Sequence, residues 1–215
     1  MDIATILITY GILFLGELGD KTQLIVFNLA LEYKKFYKVG IGVTFGFAVI
    51  VTIGVFFGAV ITQFIPIFII SIASGIVFII IGLLEARNLK ELYLEKYKNM
   101  NNTKYSSLDD NTSEDKENLS SKFTKLKSNP YLAGFGFIFL MELGDKTQIL
   151  TITLASIYPF PLEVWLGSFL ALISVAWLGI LFGAFIARKV PKFYLKLIST
   201  LIFIFVGIFI LITSF

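Results

Sequence analysis

Apolar residues fill this chain in six long runs, and the polar positions between them mark where each run stops. The first run extends from about Ile3 to Leu31, the second from Val39 to Phe64 and the third from Ile67 to Leu84. After a long polar interval come a fourth from Tyr131 to Ile157, a fifth from Val164 to Ala187 and a sixth from Phe193 to the C-terminus. A helix that crosses a ~30 Å hydrocarbon core needs about 20 such residues. The pattern therefore predicts six transmembrane helices and an all-α integral membrane protein. At ~1.5 Å per residue the first run is longer than a crossing requires. A tilt, or a break near Gly16 and Gly19, would absorb the excess. Glu85 closes the third run and is expected at the membrane interface.

Residues 86–130 differ in kind. Leu89, Leu92, Tyr93, Tyr97 and Met100 recur at helical spacing, which predicts a helical continuation from Arg87 to Met100. Residues 101–121 are rich in Asn, Ser, Asp and Glu and predict a disordered linker. The expected organisation is a three-helix unit over 1–85, a linker over 86–130 and a second three-helix unit over 131–215.

The two units are one repeat. An offset of 125 carries Gly11 to Gly136, Tyr33 to Tyr158, Gly42 to Gly167, Gly54 to Gly179, Pro66 to Pro191, Ser74 to Ser199 and Gly82 to Gly207, with no gap. Three crossings per unit insert the second unit upside down. This is the inverted-repeat plan of many secondary transporters, whose sites lie near the midplane at the repeat interface.

Composition and charge sharpen the picture. The chain is 57% hydrophobic and 15% charged, which fits a polytopic membrane protein and no soluble domain. It has no Cys and no His, which excludes thiolate and imidazole metal sites and dithiol redox chemistry. Of its 18 Lys and Arg, 16 fall on segments that alternating crossings place on one side: Lys34, Lys35 and Lys38, the 86–130 interval, and Arg188, Lys189, Lys192 and Lys196. The positive-inside rule puts those segments in the cytoplasm and both termini outside. The first run has no basic segment ahead of it and does not read as a signal peptide.

The two remaining lysines, Lys21 and Lys146, lie inside apolar runs, within identical heptapeptides. One is Glu17-Leu18-Gly19-Asp20-Lys21-Thr22-Gln23, the other Glu142-Leu143-Gly144-Asp145-Lys146-Thr147-Gln148. Ionisable groups in a span mark pathways or partners. On a regular helix Glu17, Asp20 and Lys21 share one face, and Thr22 points elsewhere. A plain Glu17–Lys21 pair would neutralise itself but leave Asp20 unexplained. If the two runs meet across a pseudo-twofold axis, Glu17, Asp20, Glu142 and Asp145 converge with Lys21 and Lys146 nearby. Four acids and two lysines leave a formal charge matched to a divalent cation. Gln23, Gln148, Thr22 and Thr147 could add oxygen ligands. An all-oxygen donor set suits hard ions such as Ca2+, Mn2+ and Mg2+. Without a metal, crowded carboxylates in low dielectric cannot all stay ionised and take up protons. One set of groups can thus hold metal and protons in turn.

These residues also carry a resemblance. Two copies of Glu-φ-Gly-Asp-Lys/Arg-Ser/Thr, one in each half of a six-span chain with a polar central loop, are similar to the Gdt family of Ca2+/Mn2+:H+ exchangers. Both motifs match at every position, and the likeness covers the whole chain. It implies cation/proton antiport with Glu17, Asp20, Glu142 and Asp145 as the binding residues, no cofactor, and transported divalent cations and protons. Lys21 and Lys146 would tune the charge. The expected partners are the lipid bilayer and a divalent metal ion, with no nucleic acid, and the ion itself stays open. Eukaryotic members usually carry extra sequence before the first motif span. This chain does not, so a plasma membrane location is expected.

Three other readings compete. An exporter of small cationic solutes or amino acids would need a roomier cavity. An intramembrane aspartyl protease pairs two aspartates, but here a lysine adjoins each one. A channel would conduct the ion instead of exchanging it.

Overall fold

The apolar runs fold as α-helices, and both motif-bearing runs break. The first becomes α1 (Ile3–Glu17) and α2 (Lys21–Leu31), followed by α3 (Phe36–Phe64) and α4 (Ile67–Asn101). The fourth becomes α5 (Pro130–Glu142) and α6 (Lys146–Ile157), followed by α7 (Pro161–Lys189) and α8 (Lys192–Thr213). The structure is a computed structural model. It describes residues 2–18, 20–33, 35–101, 129–189 and 192–214; within these, the side chains of 21, 24, 25, 88–101, 182–189 and 192–196 are not described. The linker expected over 101–121 lies almost wholly outside the described residues, as do the side chains of Lys21, Arg188, Lys189, Lys192 and Lys196. No strand occurs among the described residues.

Local chemistry sets the helix ends. Asp2 caps α1 by accepting from the Ala4 amide at 3.2 Å, and Asn129 caps α5 by accepting from the Tyr131 amide at 3.1 Å. Pro130 and Pro161 begin α5 and α7, where a missing amide hydrogen costs nothing. Pro66 separates α3 from α4. Among the described residues, three helical stretches are each long and apolar enough to cross a membrane: Phe36–Phe64, Ile67–Arg87 and Pro161–Leu181. Apolar side chains also cover the outside, with Phe45, Phe64, Phe205 and Ile212 well exposed, while Thr9, Thr147, Thr151 and Ser168 are fully buried. That distribution suits lipid, not water, as the solvent.

The repeat is visible in the packing. Gly54 meets Thr151 and the Gln148 carbonyl, and its equivalent Gly179 meets the Gln23 carbonyl. Gly42 lies on the Tyr131 carbonyl, and Gly167 on the equivalent Ile6 carbonyl. No side chain fits at these crossings, so the first span of each half packs against the second span of the other. Contacts exchanged in this way define a twofold relation. It inverts the halves, because equivalent helices run antiparallel. Trp165 Nε1 donates to Thr52 Oγ1 at 2.9 Å, while Trp177 lies against Gly40, so α3 and α7 oppose each other. Gly82 meets Ile204 and Gly207 meets Ile79, so α4 and α8 do the same. Phe78 and Phe203, equivalent residues with no exposure, pack ring to ring at 6.3 Å where these two helices meet.

Candidate cation site

The motif is not a helical stripe. α1 stops at Glu17, Leu18 and Asp20 are extended, and α2 starts at Lys21; the second copy stops at Glu142 and restarts at Lys146. The expected shared face of Glu17, Asp20 and Lys21 is therefore replaced by an unwound turn. Its sharpest point in the second copy is Gly144, at φ 85°, a conformation that disfavours any Cβ.

Unwinding leaves carbonyls at the C-terminus of α1 that need donors, and each finds one. Phe14 O accepts from the Leu18 amide at 3.0 Å and Glu17 O from the Asp20 amide at 3.1 Å. Leu15 O accepts from Ser199 Oγ at 2.5 Å. Gly16 O accepts from Lys146 Nζ at 3.1 Å, which brings a lysine of the second motif to the negative end of a helix in the first.

Lys146 is the hub. Its Nζ lies 3.2 Å from Asp20 Oδ2, 3.7 Å from Glu17 Oε1 and 3.1 Å from Glu85 Oε1. Glu17, only 4% exposed, also accepts from Thr147 Oγ1 at 2.8 Å. Thr22 and Thr147 are both buried, against the expectation that Thr22 would point away from the acids. Glu142 is 1% exposed, and neither of its carboxylate oxygens has a hydrogen-bond partner among the described residues. Asp145, in contrast, is exposed. Gln23 is buried and its Nε2 reaches the Val175 carbonyl at 3.5 Å, while Gln148 Oε1 accepts from the Gly144 amide at 2.6 Å.

The structure thus gathers Glu17, Asp20, Thr147 and Lys146 from two motifs, keeps Glu142 buried beside them, and leaves Asp145 outside. Among the described residues no three acidic groups stand close enough to hold a bare metal ion as they are. Their spacing is that of an ammonium cage. Glu85 was not foreseen as a site residue. It is buried within α4, two residues before the end of its membrane-capable stretch, Ile67–Arg87. The available signal was an acid at the end of an apolar run with helix predicted to continue past it.

Glu17, Thr22 and Gln23 line a small cleft whose other walls are Val26, Phe47, Leu172, Val175 and Ala176. The space at its centre is that of roughly one water molecule.

A family profile described as "Divalent cation/proton antiporter GDT1" matches residues 5–91 and 130–215, both halves of the molecule. The chain belongs to the GDT1 family. It is therefore a multi-pass membrane transporter that exchanges divalent cations for protons, and not an enzyme, which removes the protease reading. The chain is also 29% identical over 208 residues to the GDT1-like protein sll0615 of Synechocystis sp. (strain ATCC 27184 / PCC 6803 / Kazusa), covering 91% of each. No solved structure matches it.

Proposed function

We propose that this GDT1-family chain exports Mn2+, Ca2+ or both from the cytoplasm across the plasma membrane, taking up protons in return. The transported ion is held by Glu17, Asp20, Glu142 and Asp145, with oxygens of Thr22, Thr147, Gln23 and Gln148 as further ligands. Lys21 and Lys146 set the net charge. The observation that carries this reading is the hydrogen bond from Thr147 Oγ1 of one motif to Glu17 of the other, because it joins both motifs at a buried carboxylate. Glu142 supports it, since a carboxylate this buried, with no hydrogen-bond partner among the described residues, is stabilised by taking up a proton or a cation. In an inverted repeat the two halves can exchange roles between outward and inward states. Asp145 then enters the site as Asp20 leaves it.

The six crossings and the sidedness belong to the same proposal, with α1–α2 and α5–α6 as broken spans. Cysteines placed at Ser107 and Ser214 in this Cys-free chain are expected to label from opposite sides of the membrane. Labelling from one side refutes the topology. The function itself is tested in proteoliposomes, by comparing Mn2+, Ca2+ and Mg2+ movement under an imposed pH gradient. Divalent flux that collapses with the gradient is expected, and flux indifferent to it sinks the antiport reading for this chain.

A further inference from the structure

Glu85 belongs to neither motif, yet it gives Lys146 one of its two shortest contacts. We propose that Glu85 is a positioning residue that keeps the Lys146 ammonium paired while Glu17 and Asp20 turn to the transported cation. This rests on the exchange reading above and names the residue that makes room for the ion.

The distances set the problem. Lys146 Nζ sits 3.1 Å from Glu85 Oε1 and from the Gly16 carbonyl, 3.2 Å from Asp20 and 3.7 Å from Glu17. Metal–oxygen bonds are shorter, about 2.3–2.6 Å for Ca2+. An ammonium and a metal ion therefore compete for Glu17 and Asp20. The displaced ammonium cannot stand alone in a low-dielectric interior, where a charge stripped of its partner is strongly destabilising. Glu85 and the Gly16 carbonyl already hold it, each at 3.1 Å, without the help of the motif acids. Glu17 is the loosest of the contacts and already takes a second hydrogen bond, from Thr147. A small pivot of the lysine thus frees both motif carboxylates without stranding the charge.

The carboxylate of this device exists in one half only. The 125-residue offset carries Glu85 to Ile210, so the sequence gives Lys21 no equivalent acid, although the Met141 carbonyl corresponds to that of Gly16. A residue needed only to neutralise the motif would be expected in both copies.

The test is a double-mutant cycle on the full-length protein. Mn2+ and Ca2+ binding are each measured by titration for wild type, Glu85→Gln, Lys146→Met and the double variant, with thermal unfolding as the check on folding. Glu85→Gln is expected to weaken metal affinity roughly 10- to 100-fold, the usual effect of removing an outer partner of a metal site. Adding Lys146→Met is expected to recover most of that loss, because no ammonium is left to hold. If Glu85→Gln fails to fold, Glu85→Asp keeps the charge at a shorter reach and reads the same coupling. Wild-type affinity in Glu85→Gln overturns the inference. So does a loss that Lys146→Met does not recover, which would make Glu85 a direct ligand or a structural group. A wild-type protein that neither binds nor exchanges either ion removes the exchange reading itself.

Discussion

The heptapeptides at 17–23 and 142–148 are identical, and the molecule treats them differently. Glu17 has a threonine hydroxyl and a lysine ammonium; Glu142 is more deeply buried and has no hydrogen-bond partner among the described residues. Asp20 is ion-paired; Asp145 faces out. One difference lies outside the motifs, where α4 has Glu85 and α8 has Ile210 at the equivalent position. Lys146 reaches Glu85 at 3.1 Å, and its neighbour Thr147 donates to Glu17 at 2.8 Å. Identical motifs in an inverted repeat thus meet unequal neighbours, and the surroundings rather than the motif set how each acid is paired.

The largest effects should come from the two glutamates. Glu17→Gln and Glu142→Gln are each expected to lower divalent flux at least ~100-fold, since each removes a charge and a ligand from one shared site. Their stabilities should part. Glu17→Gln leaves Lys146 short of a partner and should destabilise the protein by about 1–3 kcal/mol. Glu142→Gln removes a buried charge with no hydrogen-bond partner among the described residues and should leave stability at or above wild type. Flux assays beside thermal unfolding check both, and wild-type exchange in the two variants together would end the shared-site mechanism.

The lysines test the same asymmetry. Lys146→Met removes the cation from among three acids and should destabilise the protein by about 3–5 kcal/mol when no metal is present. Added Ca2+ or Mn2+ should restore much of this, because a ligand that binds the folded state stabilises it. Lys21→Met should have the smaller effect. Equal losses would show that the two halves carry their lysines alike. For both metals, wild-type binding should weaken as pH falls, because protons compete for the same carboxylate oxygens.

Packing should be symmetric where the site is not. Gly42→Ala and Gly167→Ala each push a Cβ onto a backbone carbonyl of the opposite half and should cost about 1–3 kcal/mol apiece. A large difference between them in thermal unfolding would show that the halves are packed less alike than their contacts suggest.

The smallest difference lies at the helix starts. The Thr5 hydroxyl, and then the Ala4 and Thr5 amides, hold the Asp2 carboxyl below the usual carboxylate range. A depressed folded-state value gives stability that is present above the ordinary range and lost as pH falls through the lowered one. Hydrogen exchange at the start of α1 should therefore quicken under acid. The start of α5, capped by the neutral amide of Asn129, should not change.

Much of this protein was written in the chain in one dimension. The hydrophobic runs fixed where helices form, because a span must bury its backbone in its own hydrogen bonds. The 125-residue offset gave the repeat, and three runs per half gave its inversion, which α3 against α7 and α4 against α8 then displayed. Two identical acidic heptapeptides in apolar runs marked where buried acids and a lysine gather, since ionisable groups in a span need partners there. Tertiary structure alone decided the rest. Helical spacing put Glu17, Asp20 and Lys21 on one face, but the broken motif turned its free carbonyls to donors on other helices. Lys146 met Glu17, Asp20, Glu85 and Gly16, all far from it in sequence. Local spacing carries no trace of such contacts. They depend on which helices the glycine crossings bring together, and on where a buried ammonium finds the most oxygen.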